Sequence, residues 1–212
     1  KEHEEDTKAL KQAYKDGYLS ENIADKTDAV KQAETQRNYL TLEELNTLVK
    51  TDCKSPEIKT QALFSALTGL RRSDIQKLIW EEVQYEDNSG YLIRFKQKKT
   101  GGSETLPITE QAFGLLGERK QSFEKVFSLI EKTNQKDNRY LTQWVLDAGI
   151  SKKITFHCFR HTFATLQLSS GTDIYTVSKR LGHREIRTTT IYAKIVDQKM
   201  KEAAYIIPEI QL

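Results

Sequence analysis

His157, Arg160, His183 and Tyr192 follow one another closely enough to bring two imidazoles, a guanidinium and a phenol to one place. Such groups suit attack on a phosphodiester, because a phenol is a nucleophile, an imidazole can take its proton and a guanidinium fork can neutralise phosphate. His157 and Arg160 are three residues apart, so on a helix they share a face. Arg71 lies upstream in Thr68-Gly69-Leu70-Arg71-Arg72-Ser73-Asp74, where Gly69 reads as the left-handed end of an apolar helix and Ser73 as the cap of the next. Arg71 therefore sits at a corner between helices. Lys99 belongs to Tyr91-Leu92-Ile93-Arg94-Phe95-Lys96-Gln97-Lys98-Lys99-Thr100-Gly101-Gly102. Alternation there puts Tyr91, Ile93 and Phe95 on one strand face and basic residues on the other, with Lys99 at the hairpin tip.

The elements that must carry these residues are mostly helices. Thr41-Leu42-Glu43-Glu44 is a capping-box pattern, Ser55-Pro56 opens the next helix with proline in its first turn, and Ala62 to Leu67 is an apolar core run. A three-stranded antiparallel sheet is expected at about 80–85, 91–97 and 103–108, turning at Asn88-Ser89-Gly90 and Gly101-Gly102. Helices follow at about 110–117, 138–148, 156–168, 174–181 and 189–205, with Gly149, Gly171 and Gly182 as stops. Residues 118–136 have no clear period, and Phe127 is expected to anchor them. Phe163, Leu166, Tyr175 and Val177 read as core. The fold class is α+β, mainly helical, with a small sheet on one side.

At 212 residues the chain can bury a substantial core. Its net charge of +3 is modest, so nucleic-acid binding depends on local clusters at Arg94 to Lys99, Lys152-Lys153 and Arg180 to Arg187. Cys53 and Cys158 fit neither a metal-ligand spacing nor a disulfide framework, which agrees with a reducing cytoplasm. No apolar run approaches membrane-spanning length and no signal peptide is visible. Lacking an initiator methionine, the sequence reads as an excised fragment. Residues 1–36 are polar, with one amphipathic stretch at Leu10, Tyr14 and Tyr18 and then a linker; the main domain is 37–212.

Taken in order, Arg71, Lys99, His157, Arg160, His183 and Tyr192 resemble the active-site set of the tyrosine recombinases, the phage-integrase family. The surrounding words match as well: Ala66-Leu67-Thr68-Gly69-Leu70-Arg71, Lys98-Lys99-Thr100-Gly101, Thr155-Phe156-His157-Cys158-Phe159-Arg160-His161-Thr162-Phe163-Ala164-Thr165, and Leu181-Gly182-His183 leading to Thr190-Ile191-Tyr192-Ala193. The likeness covers roughly Tyr39 to Ala204. It implies an integrase-type catalytic domain and makes residues 1–36 the last part of an amino-terminal DNA-clamping domain plus linker. It further implies site-specific recombination of double-stranded DNA for a mobile element, in the bacterial cytoplasm at the nucleoid. A synaptic homo-tetramer, monomeric as the isolated fragment, and DNA-bending accessory proteins follow from the same likeness, as does docking of the apolar tail 203–210 on a neighbouring protomer.

On this reading Tyr192 attacks in line and forms a 3′-phosphotyrosyl ester, while Arg71 and Arg160 hold the non-bridging oxygens in a geometry lysine cannot copy. A phenol with pKa near 10 is ionised in about one molecule per thousand at neutral pH, a deficit of roughly 4 kcal/mol. His157 is the candidate base, His183 a donor to a non-bridging oxygen, and Lys99 the acid for the leaving 5′-oxygen. His161 is assigned to packing and hydrogen bonding. Lys98, Lys153 and Thr155 are flanking DNA contacts, and neither a metal nor another cofactor is required. Arg72 beside Arg71 and Lys98 beside Lys99 leave each pair open, and Tyr205 is a second phenol outside the Thr-x-Tyr context. A type IB topoisomerase shares this chemistry, and a non-catalytic DNA-binding relative would retain the phosphate surface; a metal-dependent hydrolase using His157, Cys158, His161 and His183 fails because adjacent helical residues diverge by about 100°.

Overall fold

Helix ends built by the sequence set the frame of this protein. In the computed structural model, which describes residues 2–26, 37–96, 103–127, 134–193 and 196, the chain divides into two compact units, Lys1–Gln36 and Arg37–Leu212. The first contains helix α1 (Glu2–Lys15), which stops as Gly17 turns left-handed at φ 79°. In the second, Thr41 caps α2 (Leu42–Lys50) by accepting from the Glu44 N–H, while the Glu44 carboxylate accepts from the Thr41 N–H. Ser55 caps α3 (Pro56–Thr68), whose interior is buried from Ala62 to Ala66.

Two central helices carry the site. Helix α7 (Phe156–Ser169) is buried on nearly every side from Cys158 to Thr165 and packs along α3. Around this pair stand the short α4 (Arg72–Ile75) and α5 (Glu110–Gly114), then α6 (Asn134–Asp147), α8 (Ile174–Arg180) and a helical run over 187–193, α9. Strands β1 (Val83–Glu86), β2 (Gly90–Lys96) and β3 (Ser103–Pro107) form an antiparallel meander in the order β1-β2-β3. Val83 pairs with Ile93, and Ile93 in turn with Leu106, so three apolar side chains line the core face.

Several boundaries differ from the sequence reading for physical reasons. Arg71, not Ser73, is the N-cap of α4, because its backbone is extended at φ −71°, ψ 149° while Ser73 already lies in the helical turn. Residues 80–82 form a 3-10 turn rather than strand, since Trp80 and Glu81 donate backbone bonds to the 122–124 segment. Tyr175 is not core but 61% exposed, with the Lys179 ammonium over its ring. Phe127 does anchor its stretch, buried against Phe64 at 5.1 Å between centroids. The hairpin tip with Lys98 and Lys99, residues 128–133, the tail 203–210 and Tyr205 lie outside the described residues.

Gly69 is the tightest corner. It ends α3 at φ 74°, and a Cβ there would sit 2.6 Å from Cδ1 of Phe163, with Leu181 at 3.1 Å. Left-handed backbone costs a residue with a side chain about 1 kcal/mol, and forcing apart a packed core costs about 1–3 more. Gly69→Ala should therefore lose about 2–4 kcal/mol in urea denaturation, whereas Gly149→Ala, whose Cβ meets nothing within 4 Å, should lose only the backbone part.

Candidate active site

The corner after α3 is locked before any functional side chain is placed. Gly69 N–H donates to the Ser65 carbonyl, Ser65 Oγ donates to the Leu70 carbonyl, and Leu70 N–H donates to Thr68 Oγ1. The Gly69 carbonyl is thereby held toward α7. Arg160, 3% exposed, reaches it with Nη1 at 2.6 Å and reaches the Leu181 carbonyl at the end of α8 with Nη2 at 2.6 Å. One buried guanidinium thus joins three helices.

His183 follows Gly182, which turns left-handed at φ 58° to end α8. Its Nε2 lies 3.1 Å from Arg160 Nη2 and its Nδ1 lies 2.8 Å from Thr189 Oγ1. A guanidinium has no acceptor, so Nε2 must accept and the ring proton sits on Nδ1, donating to Thr189. Burial, then the charges of Arg160 and Arg71, lowers the His183 pKa to about 4. The neutral ring is an acceptor toward Arg160.

Tyr192 lies on α9 and is 1% exposed, its ring packed with Phe163, Ala164, Val177 and Leu181 in a small core cluster. Its hydroxyl is 2.6 Å from Nδ1 of His161, and the charge of Arg37 acts on it as well. Burial pushes the phenol pKa up, against the opposing charges of Arg160, Arg37 and Arg71. His161 is itself held neutral, its pKa lowered to about 3 chiefly by burial and next by His157.

The remaining residues sort by position. Arg71 acts electrostatically on Arg160, His183 and Tyr192 and lies 3.8 Å from Asp74, whereas the Arg72 guanidinium stacks over Phe156 at 5.2 Å. Of the two adjacent arginines, Arg71 faces the cluster. Burial, then the Arg71 charge, lowers the Arg160 pKa to about 10, so the group stays cationic at neutral pH. His157 is exposed and meets His161 edge-on at 4.5 Å between centroids, so His161 and not His157 makes the described bond to the phenol.

Lys153 and Thr155 are exposed at the start of α7. Within the basic clusters, by contrast, Lys152 pairs with Glu44 at 2.7 Å, Arg94 with Glu86 at 2.6 Å, and Arg180 donates to the Pro107 carbonyl at 3.3 Å. Cys158 Sγ turns back to Thr155 Oγ1 at 3.4 Å, and among the described residues no group of three His, Cys, Asp or Glu could hold a metal ion. No helix among them is long and apolar enough to cross a membrane. The bond from His161 to Tyr192 had one sequence signal, its place one helical turn after His157. Arg37 had none.

This fold and its gathered residues define an integrase-type catalytic domain. The chain belongs to the phage integrase family, which it matches over residues 38–199. It is similar to the tyrosine recombinase XerA of Pyrococcus furiosus, 30% identical over 207 residues covering 92% of this chain and 70% of the relative. The tyrosine recombinase XerA of Saccharolobus solfataricus is 30% identical over 147 residues, 68% of this chain, which spans about half (48%) of that relative. A crystal structure of XerA recombinase superposes with a TM-score of 0.64 at 25% identity, covering 96% of this chain and 75% of the other.

A histidine buried neutral must charge when the protein unfolds in acid, so its contribution is present above the unfolded pKa near 6.5 and is lost as pH falls below it. His161→Gln should therefore lower the melting temperature clearly at pH 7.5, and the gap to wild type should narrow steadily toward pH 5. A gap that stays constant with pH would remove His161 from the neutral, phenol-bound state.

Proposed function

We propose that this protein is a site-specific DNA recombinase that integrates or excises a mobile element through a covalent 3′-phosphotyrosyl intermediate, without a metal ion. The observation that carries the reading is the convergence of Arg71, Arg160, His183 and Tyr192 around the Gly69 corner. Family membership and similarity to proteins named tyrosine recombinases support it.

In this mechanism Arg71 and the N–H groups of Arg160 not given to carbonyls neutralise the phosphate, with Arg160 fixed by Gly69 and Leu181 so that little reorganisation is needed. An arriving phosphate anion raises the His183 pKa and favours its charged, donating form. Tyr192 attacks in line through its oxygen while its proton leaves by way of His161 or His157. Because burial disfavours the phenolate, DNA binding must open the cluster around Tyr192 and bring the arginines' charge to bear. Lys99 protonates the departing 5′-oxygen, and Lys98, Lys153 and Thr155 hold flanking phosphates.

Residues 1–36 close an amino-terminal clamp domain, the active assembly is a tetramer on double-stranded DNA with bending proteins as accessories, and the work is done at the nucleoid in the cytoplasm. The tail 203–210 docks on a neighbouring protomer.

On a nicked suicide substrate the wild type should give a 3′-linked adduct that persists in chelator, Tyr192→Phe should give none, and Tyr205→Phe should still react. An adduct that survives in Tyr192→Phe sinks the nucleophile assignment; relaxation of supercoils without strand exchange favours the topoisomerase reading. For the acid, sulfur in place of the bridging 5′-oxygen leaves with almost no proton. Lys99→Ala should be slow on the normal substrate and recover on the sulfur one, while Arg160→Ala should not recover; recovery of Lys98→Ala instead would shift the role by one residue.

A further inference from the structure

We propose that Thr189 is a positioning residue of the active site, whose side-chain oxygen holds Nδ1 of His183 so that Nε2 alone is presented to Arg160 and, in the reaction, to phosphate. This role rests on His183 being a phosphate contact, as in the proposed function. Of the consecutive threonines Thr188, Thr189 and Thr190, only the middle one is buried, and it is fully so. Thr190 Oγ1 donates to the Arg187 carbonyl at 2.8 Å, an ordinary local bond of a helical threonine. Thr189 Oγ1 instead lies 2.8 Å from Nδ1 of His183, on the preceding turn of chain.

His183 is held at its backbone and at both ring nitrogens. Its N–H donates to the Ser178 carbonyl in the last turn of α8 at 3.1 Å, and Gly182 before it is left-handed. Nε2, 3.1 Å from Arg160 Nη2, can only accept there, which puts the ring proton on Nδ1, facing Thr189. Thr189 is anchored in turn, its N–H donating to the Ile186 carbonyl at 2.7 Å as α9 begins. With a partner on each nitrogen, the imidazole has one orientation in place of two.

The same bond serves both protonation states of the ring. When phosphate arrives and His183 takes a proton, Nε2 changes from acceptor to donor, whereas Nδ1 carries its hydrogen throughout. The Thr189 oxygen accepts from Nδ1 before and after, so the change is confined to the nitrogen that meets phosphate. Thr189 also stands three residues before Tyr192, on the same side of α9. One hydroxyl thus sets His183 and ties it to the helix that bears the phenol. Valine has nearly the same shape and would leave the Nδ1–H unpaired; serine keeps the oxygen and drops only a methyl group.

Two readouts on the 212-residue chain test this. In protein labelled with 15N-histidine, with the ring assigned by His183→Gln, the Nδ1 proton of His183 should exchange with solvent about tenfold faster in Thr189→Val than in wild type, and Thr189→Ser should protect it. In single-turnover cleavage of the nicked substrate at saturating DNA, Thr189→Val should slow adduct formation about tenfold, while Thr189→Ser and Thr190→Val stay near wild type. In a His183→Gln background, Thr189→Val should slow the reaction no further, because it acts through the ring already removed. An Nδ1 proton as well protected in Thr189→Val as in wild type overturns the proposal. So does equal slowing by Thr189→Val in both backgrounds, which makes Thr189 a packing residue of α9, and so does slowing of Thr189→Ser to the level of Thr189→Val. If wild type forms no adduct, the recombinase reading fails while the exchange rate still decides whether Thr189 holds His183.

Discussion

The buried guanidinium of Arg160 is the interaction on which the rest of the site depends. A charge taken out of water is costly unless hydrogen bonds replace its hydration, and here two carbonyls do so, Gly69 at the end of α3 and Leu181 at the end of α8. Carbonyls at helix C-termini lack intrahelical partners and carry the negative end of the helix dipole, so each side satisfies the other. Lysine could not span both, since its ammonium is a single compact donor centre on a flexible stem. Three elements are thereby set relative to one another by one planar group.

The geometry of Gly69 follows from that requirement. Its left-handed turn aims the carbonyl at Arg160, and its lack of a side chain lets Phe163 and Leu181 close over it. Those same two residues belong to the cluster that surrounds the Tyr192 ring. The Arg160 corner and the Tyr192 cluster therefore share packing as well as charge. A shift at the corner is felt at the phenol, because close-packed interiors transmit strain.

Neutral histidines complete the arrangement. His183 accepts from Arg160 and donates to Thr189, which ties α9 back to the end of α8, and His161 Nδ1 lies 2.6 Å from the Tyr192 hydroxyl. Each ring is kept uncharged by burial beside cations. A site crowded with positive charge stays neutral where it can, and this leaves the arginines as the permanent charges.

Much of the fold was written locally. The capping box at Thr41, the Ser55-Pro56 helix start, the glycine stops and the alternation of β2 each depend on a few adjacent residues, whose backbone preferences hold with little help from distant contacts. The family words likewise named Arg71, His157, Arg160, His183 and Tyr192, because spacing and residue type survive in the one-dimensional string. Tertiary structure alone decided which of Arg71 and Arg72 faces the cluster, that Arg160 spends two donors on carbonyls, that His183 accepts from Arg160, and that His161 meets the phenol. The charge of Arg37 acts on Tyr192 although the two residues lie far apart in the chain. Hydrogen-bond direction and burial arise from the sum of surrounding groups, and a sequence specifies that sum only through the folded arrangement.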